Sequence, residues 1–73
     1  MMEEDIYRYE IGIIINEDRD TKAVTNDEQA AIEVFSSLLK DNRNNKDDHI
    51  VIFVFDYDKN TNIRYYDNQT EIS

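Results

Sequence analysis

Seventy-three residues bound the chain to one domain, and a domain of that size buries only about 60 % of its unfolded surface. The absence of cysteine excludes disulfides and thiolate metal sites, and leaves a partner subunit as the usual remaining staple for so small a core. A formal net charge of −9, from 17 acidic and 8 basic residues, sets the surface against direct nucleic-acid binding.

Met1-Met2-Glu3-Glu4-Asp5 is acidic and has no apolar stretch of signal type, and no apolar run reaches the ~20 residues of a membrane span. The expected setting is the cytoplasm, with no membrane contact. From Ile6 to Asn16 the odd positions Tyr7, Tyr9, Ile11, Ile13 and Ile15 form an apolar row, while Arg8, Glu10, Gly12 and Asn16 fall between them. That is the period-two pattern of a strand with one covered face. Gly12, the only glycine, marks a bulge, a close approach of another backbone, or a small residue on the open face.

Residues Asn16 to Asp20 read as a polar turn, and Thr21–Val24 as a short edge strand. Thr25-Asn26-Asp27-Glu28 fits a capping box, with Thr25 as N-cap. The helix then runs from about Asn26 to Lys40. Ala30, Ala31, Val34, Phe35, Leu38 and Leu39 lie on one side at helical spacing, and Ile32 lies on the margin. Asp41 to Asp48 contains no apolar residue and reads as a solvated loop, with Asn42, Asn44 or Asn45 supplying a left-handed helix cap.

Ile50 to Tyr57 is apolar or aromatic throughout except for Asp56, so both faces of this strand want covering and it belongs at the centre of the sheet. Asp58–Asn62 reads as a hairpin turn and Ile63–Asp67 as a more polar return strand. Residues 1–5 and 68–73 are expected to fray. The expected fold is α+β: one helix packed on one face of a three- to four-stranded, mostly antiparallel sheet in the order β-(β)-α-β-β. The two apolar strands are placed in the middle.

Few residues read as chemistry. Asp56, Asp58, Asn60 and Asn62, followed by Asp67, resemble the start of a calcium loop, but Thr61 stands where the sharp bend needs glycine and strands flank it. A weak calcium site is therefore only an alternative to an ordinary polar turn. His49 has no signalled partner and reads as solvent-facing or as a cap; Ser36 and Ser37 have no base placed for them. We expect no enzymatic activity, no metal and no cofactor. Glu17, Asp18 and Asp20, with Asp27 and Glu28 nearby in sequence, read either as a solvated turn and helix start or as the negative surface of a nucleic-acid mimic aimed at a basic DNA- or RNA-binding host protein.

Face counting supplies the remaining expectation. One helix covers one face of the sheet. The β-strand row left outside, either Ile50, Ile52 and Val54 or Val51, Phe53, Phe55 and Tyr57, then forms an apolar patch beside Ile14 or a tyrosine of the last strand, Tyr65 or Tyr66. The candidate interface is Ile14, Ile50, Ile52, Phe53, Val54, Phe55, Tyr65 and Tyr66, with self-pairing as its simplest use. The function expected is that of a small acidic protein-binding module, a homodimer.

The segments Tyr9–Ile15, Thr25–Lys40 and Ile50–Tyr57, about half the chain, resemble the Yopt-like family of small uncharacterised prophage proteins. The resemblance implies one helix with three strands, a homodimer of phage or prophage type and no assigned activity. It carries over no functional residue, since the family has no recognised motif to carry.

Overall fold

The structure, a computed structural model, describes residues 7–70. Strand β1 (Tyr9–Ile15) and strand β2 (Asp18–Thr25) form a hairpin; helix α1 (Glu28–Asn42) follows, then strand β3 (Ile50–Asp56) and strand β4 (Thr61–Asp67) as a second hairpin. All neighbours are antiparallel, in the order β2-β1-β3-β4. The fold is α+β with four strands, one more than the family resemblance implies. The two apolar strands are central and the polar ones are edges, as their compositions require.

The odd row of β1 is covered. Tyr9, Ile11 and Ile13 are buried together with Ile50, Ile52 and Val54 of β3. Ala31 and Phe35 of α1 close over them, and Val34, Leu38 and Leu39 pack at the margin. These helix positions recur at three- and four-residue spacing, which puts them on one stripe. Each aliphatic side chain so buried contributes about 1.5–3 kcal/mol relative to exposure.

Three local readings are corrected. First, the turn after β1 is only Asn16-Glu17, both at positive φ (50° and 76°), the geometry of a two-residue type I′ hairpin. Asp18, Arg19 and Asp20 are strand, so β2 has eight residues. Their charge hid the strand, because an edge strand has no need of an apolar row. Second, β2 runs on to Thr25 and the helix begins only at Glu28, so Thr25 stands two residues too early to be its N-cap. Asp27 does so, accepting from the Gln29 N–H at 3.2 Å, while the Thr25 hydroxyl oxygen accepts from the Asp27 N–H at 3.0 Å. Third, none of Asn42, Asn44 and Asn45 is left-handed. The last turn is closed instead by Asn42 Nδ2 donating to the Leu38 carbonyl at 2.8 Å.

Asn68 is anchored, not frayed. Its Oδ1 accepts from the Ile50 N–H at 2.9 Å, its own N–H donates to the Ile50 carbonyl at 3.0 Å, and its Nδ2 donates to the carbonyls of Asp48 (2.8 Å) and Asn45 (3.2 Å). Asn16 makes the matching tie from the other hairpin: Nδ2 donates to Asp48 at 2.8 Å and Oδ1 accepts from the His49 N–H at 3.0 Å. The apolar-free loop before β3 is thus held by side-chain amides where it has nothing to bury. Residues 1–5 and 71–73, also expected to fray, lie outside the described residues.

Candidate functional site on the open sheet face

Cross-strand partners share a face, so the register fixes what lies opposite the helix. Three rows cross the sheet there from β2 to β4. They are Arg19, Ile14, Val51 and Asp67; then Thr21, Gly12, Phe53 and Tyr65; then Val24, Glu10, Phe55 and Asn62. Tyr57 follows β3 on the same side.

At the centre lies Phe53, 4 % exposed although no helix covers it. Its ring lies across Gly12: a Cβ at that position would stand 2.6 Å from Phe53 Cζ and 2.9 Å from Cε1. The close approach considered for the glycine is thus made twice, by the aromatic ring and by a neighbouring backbone, since the Asp20 carbonyl oxygen would stand 3.1 Å from the same Cβ. The pairing of β1 with β2 also slips beside Gly12, between Ile11 and Gly12. Arg19 covers the ring from above, its guanidinium carbon 4.7 Å from the centroid.

Glu10 is the buried charged residue of this face, at 7 % exposure. A carboxylate on a central strand needs donors, and it has three. The Thr21 hydroxyl donates to Oε2 at 2.6 Å, Arg19 Nη2 donates to Oε2 at 3.1 Å, and the Tyr57 hydroxyl donates to Oε1. The hydrogen bonds from Thr21 and Tyr57, then Arg19, hold the Glu10 carboxyl below its ordinary range against the opposing effect of burial. The same bond from Tyr57 raises its phenol above the ordinary tyrosine range. Tyr57 is fixed further by an edge contact with Phe55, centroids 4.9 Å apart.

Between these groups lies an open depression of about 280 Å³, floored by Ile14, Val51, Phe53 and Phe55 and rimmed by Arg19, Asn62 and Tyr65. Tyr65 is 60 % exposed, and Tyr57 and Val24 are also exposed on this face. Charge is sparse. Arg19 is paired with Glu10, and Asp67 accepts from His49 Nε2 at 2.9 Å. Asp18 and Asp20 point to the helix side, opposite Ile15 and Ile13.

The register assigns the candidate interface residues. Ile14, Phe53, Phe55 and Tyr65 are on the open face. Ile50, Ile52 and Val54 are 0 % exposed beneath the helix, and Tyr66 packs against the same core. Those four belong to the interior and leave the candidate set. The outer patch is also smaller than face counting gives, because Val51 and Phe53 are already buried by their own chain.

The calcium-like spacing does not converge. Asp67 pairs with Val51 and Asp56 with Thr61, so the two lie at opposite ends of β4, roughly 16–20 Å apart. Asp56 is engaged elsewhere: Arg8 Nε and Nη2 donate to its two oxygens at 3.0 and 3.1 Å, and the N–H groups of Asp58 and Lys59 donate to Oδ1. Arg8, and with it the two turn amides, holds the Asp56 carboxyl below its ordinary range despite burial. Among the described residues no group of three or more His, Asp and Glu side chains is placed to hold a metal ion. The acidic cluster also disperses, because Asp18 and Asp27 flank a strand roughly 25 Å long. Ser36 and Ser37 are exposed on the outer side of α1. His49 joins the loop to β4 through Asp67, an attachment the sequence did not signal.

Sequence reading missed Glu10, Arg19, Thr21 and Tyr57 as a unit. The available signal was Glu10 itself: a charged residue on a strand with neighbours on both sides must find donors on the adjacent strands.

Among the described residues no helix is long and apolar enough to cross a membrane. No protein-family model matches the chain, and neither does a curated protein or a solved structure.

Proposed function

We propose that the chain is a small acidic protein-binding module without enzymatic activity, and that it pairs with a second copy of itself through the open face of the sheet. One observation carries this. Tyr7, Val24, Tyr57 and Tyr65 are the large apolar side chains left exposed among the described residues, and the last three share the face opposite the helix. Exposed apolar groups gathered on one side of a small domain mark a contact surface. Charge supports the same side. Two chains of net charge −9 repel, and the open face is where the fewest uncompensated carboxylates stand. A prophage-type origin belongs to the proposal on the strength of the family resemblance. So does a cytoplasmic setting, where disulfides are rare and a cysteine-free chain gives up no staple.

The test is sedimentation or light scattering across a wide concentration range. The expected mass is twice the 8.7 kDa of one chain. A monomer at high micromolar concentration overturns the proposal.

A second reading uses the opposite side. Asp18 and Asp20 point to the helix side, where Glu28 and Glu33 are exposed on α1, and this favours contact with a basic nucleic-acid-binding host protein. Capture of such proteins from a lysate, competed by nucleic acid and weakened by salt, is the expected result. Capture indifferent to salt defeats it.

A further inference from the structure

We propose that the two copies pack about a two-fold axis running along the strands, between β1 and β3, so that Arg19 of each copy lies over the partner's Asp67. This rests on the self-pairing reading and specifies its geometry.

Two sheets packed face to face lie about 10 Å apart with nearly aligned strands, so a two-fold axis between them runs either along the strands or across them. An axis along the strands keeps each row at its own height and reverses it from side to side. The row Arg19, Ile14, Val51, Asp67 then meets its own reverse: Arg19 faces the partner's Asp67, and Ile14 faces the partner's Val51. In the next row Thr21 faces the partner's Tyr65, a small side chain beneath the most exposed ring. An axis across the strands sets the first row against the third. Arg19 then meets the partner's Val24, and Asp67 meets the partner's Asn62. Both charges lose water there without gaining a counter-charge, which is the costly outcome.

Both groups have capacity for the contact. The Arg19 side chain is 57 % exposed and bonds Glu10 through Nη2, leaving other N–H donors. Asp67 uses Oδ1 for His49 and for the Gln69 N–H, and its Oδ2 has no hydrogen bond among the described residues. Symmetry makes the pair twice, and electrostatic complementarity of this kind fixes register more than it adds affinity.

The absence of cysteine makes the test direct, because Glu17→Cys introduces the sole attachment point for a spin label at the β1–β2 turn. With the axis along the strands the two label sites lie roughly 15 Å apart, and with the axis across them roughly 25 Å, from strand rise and sheet spacing. A separation near the shorter value supports the proposal, and one near the longer value overturns it while leaving self-pairing in place. A double-mutant cycle supplies the second measurement. Arg19→Gln and Asp67→Asn should each raise the dimer dissociation constant roughly 5–10-fold, and the double variant no further than either alone. The two residues are at opposite edges of one sheet, so coupling between them arises only across the interface. Independent effects that multiply overturn the register. A wild-type chain that sediments as a monomer overturns both this and the reading beneath it.

Discussion

Ile52 and Phe53 are neighbours in one strand, 0 % and 4 % exposed, and they are kept dry by different things. Ile52 lies in an aliphatic layer closed by α1. Phe53 lies on the side without a helix, folded across Gly12 and covered by Arg19, which is itself held by Glu10. The first arrangement depends on packing volume alone. The second depends on a carboxylate keeping its charge and an arginine keeping its place. A sheet with only one helix can therefore cover its second face, but with a layer whose integrity depends on pH and on single side chains.

The largest expected effect separates the two faces outright. Ile52→Lys should give no folded protein, because burying an unpaired ammonium costs more than the ~5 kcal/mol on which a domain this small depends. Phe53→Lys should leave a folded chain, since the lysine can lift its charge to water from the uncovered face. Circular dichroism with urea titration reads both. Two cooperative transitions, or none in either variant, would show that the faces do not differ as described.

Gly12→Ala strikes the open face from below. The new methyl needs the space that Phe53 Cζ occupies, so the ring must swing outward from under Arg19. We expect a loss of about 1–3 kcal/mol in urea unfolding. A neutral substitution there would mean the ring has another seat.

Glu10→Gln should cost about 1–2 kcal/mol, because a neutral amide bonds Arg19 and Thr21 less strongly than a carboxylate does. It should also change the pH profile. The folded Glu10 carboxyl is held below its ordinary value, so its contribution is complete above about pH 5 and is lost as pH falls through the folded value. Tyr57 is raised above its ordinary value near 10, so its contribution holds below about pH 10 and is lost as pH rises through the raised value. In Glu10→Gln both limbs should become shallower. The acid limb that survives belongs to Asp56 and Asp48, which are lowered by Arg8 and by Asn16 with Asn45. An unchanged profile would break the link between Glu10 and the open face.

The element order, the central place of Tyr9–Ile15 and Ile50–Asp56, and the helix stripe through Ala31 and Phe35 were legible because burial imposes a period on the sequence. Two things were not. Ile50, Ile52 and Val54 alternate with Val51, Phe53 and Phe55, and both rows are apolar, so periodicity carries no information about which meets the helix. Only the register with β1 decides it, by setting Ile11 and Ile13 beside Val54 and Ile52. The polar network was hidden for a related reason. Glu10, Thr21 and Tyr57 are far apart in sequence and lie in unremarkable local patterns, and hydrogen bonds between side chains leave no period to detect. The same holds for Asn16, Asn45 and Asn68, which look like loop residues until the hairpins meet.

Both edge strands break step with their neighbours: β2 beside Ile11 and Gly12, with Lys22 as the extra residue, and β4 beside Val54 and Phe55, with Ile63 as the extra residue. A bulge bends and twists the strand that carries it. The two outer borders are thus poor templates for a further strand, and β2 adds Asp18, Arg19, Asp20 and Lys22 along its length. The consequence concerns growth. A sheet whose borders resist continuation resists lengthening sideways into a fibre, so the proposed pairing through its broad face would be a closed event that ends when that face is covered.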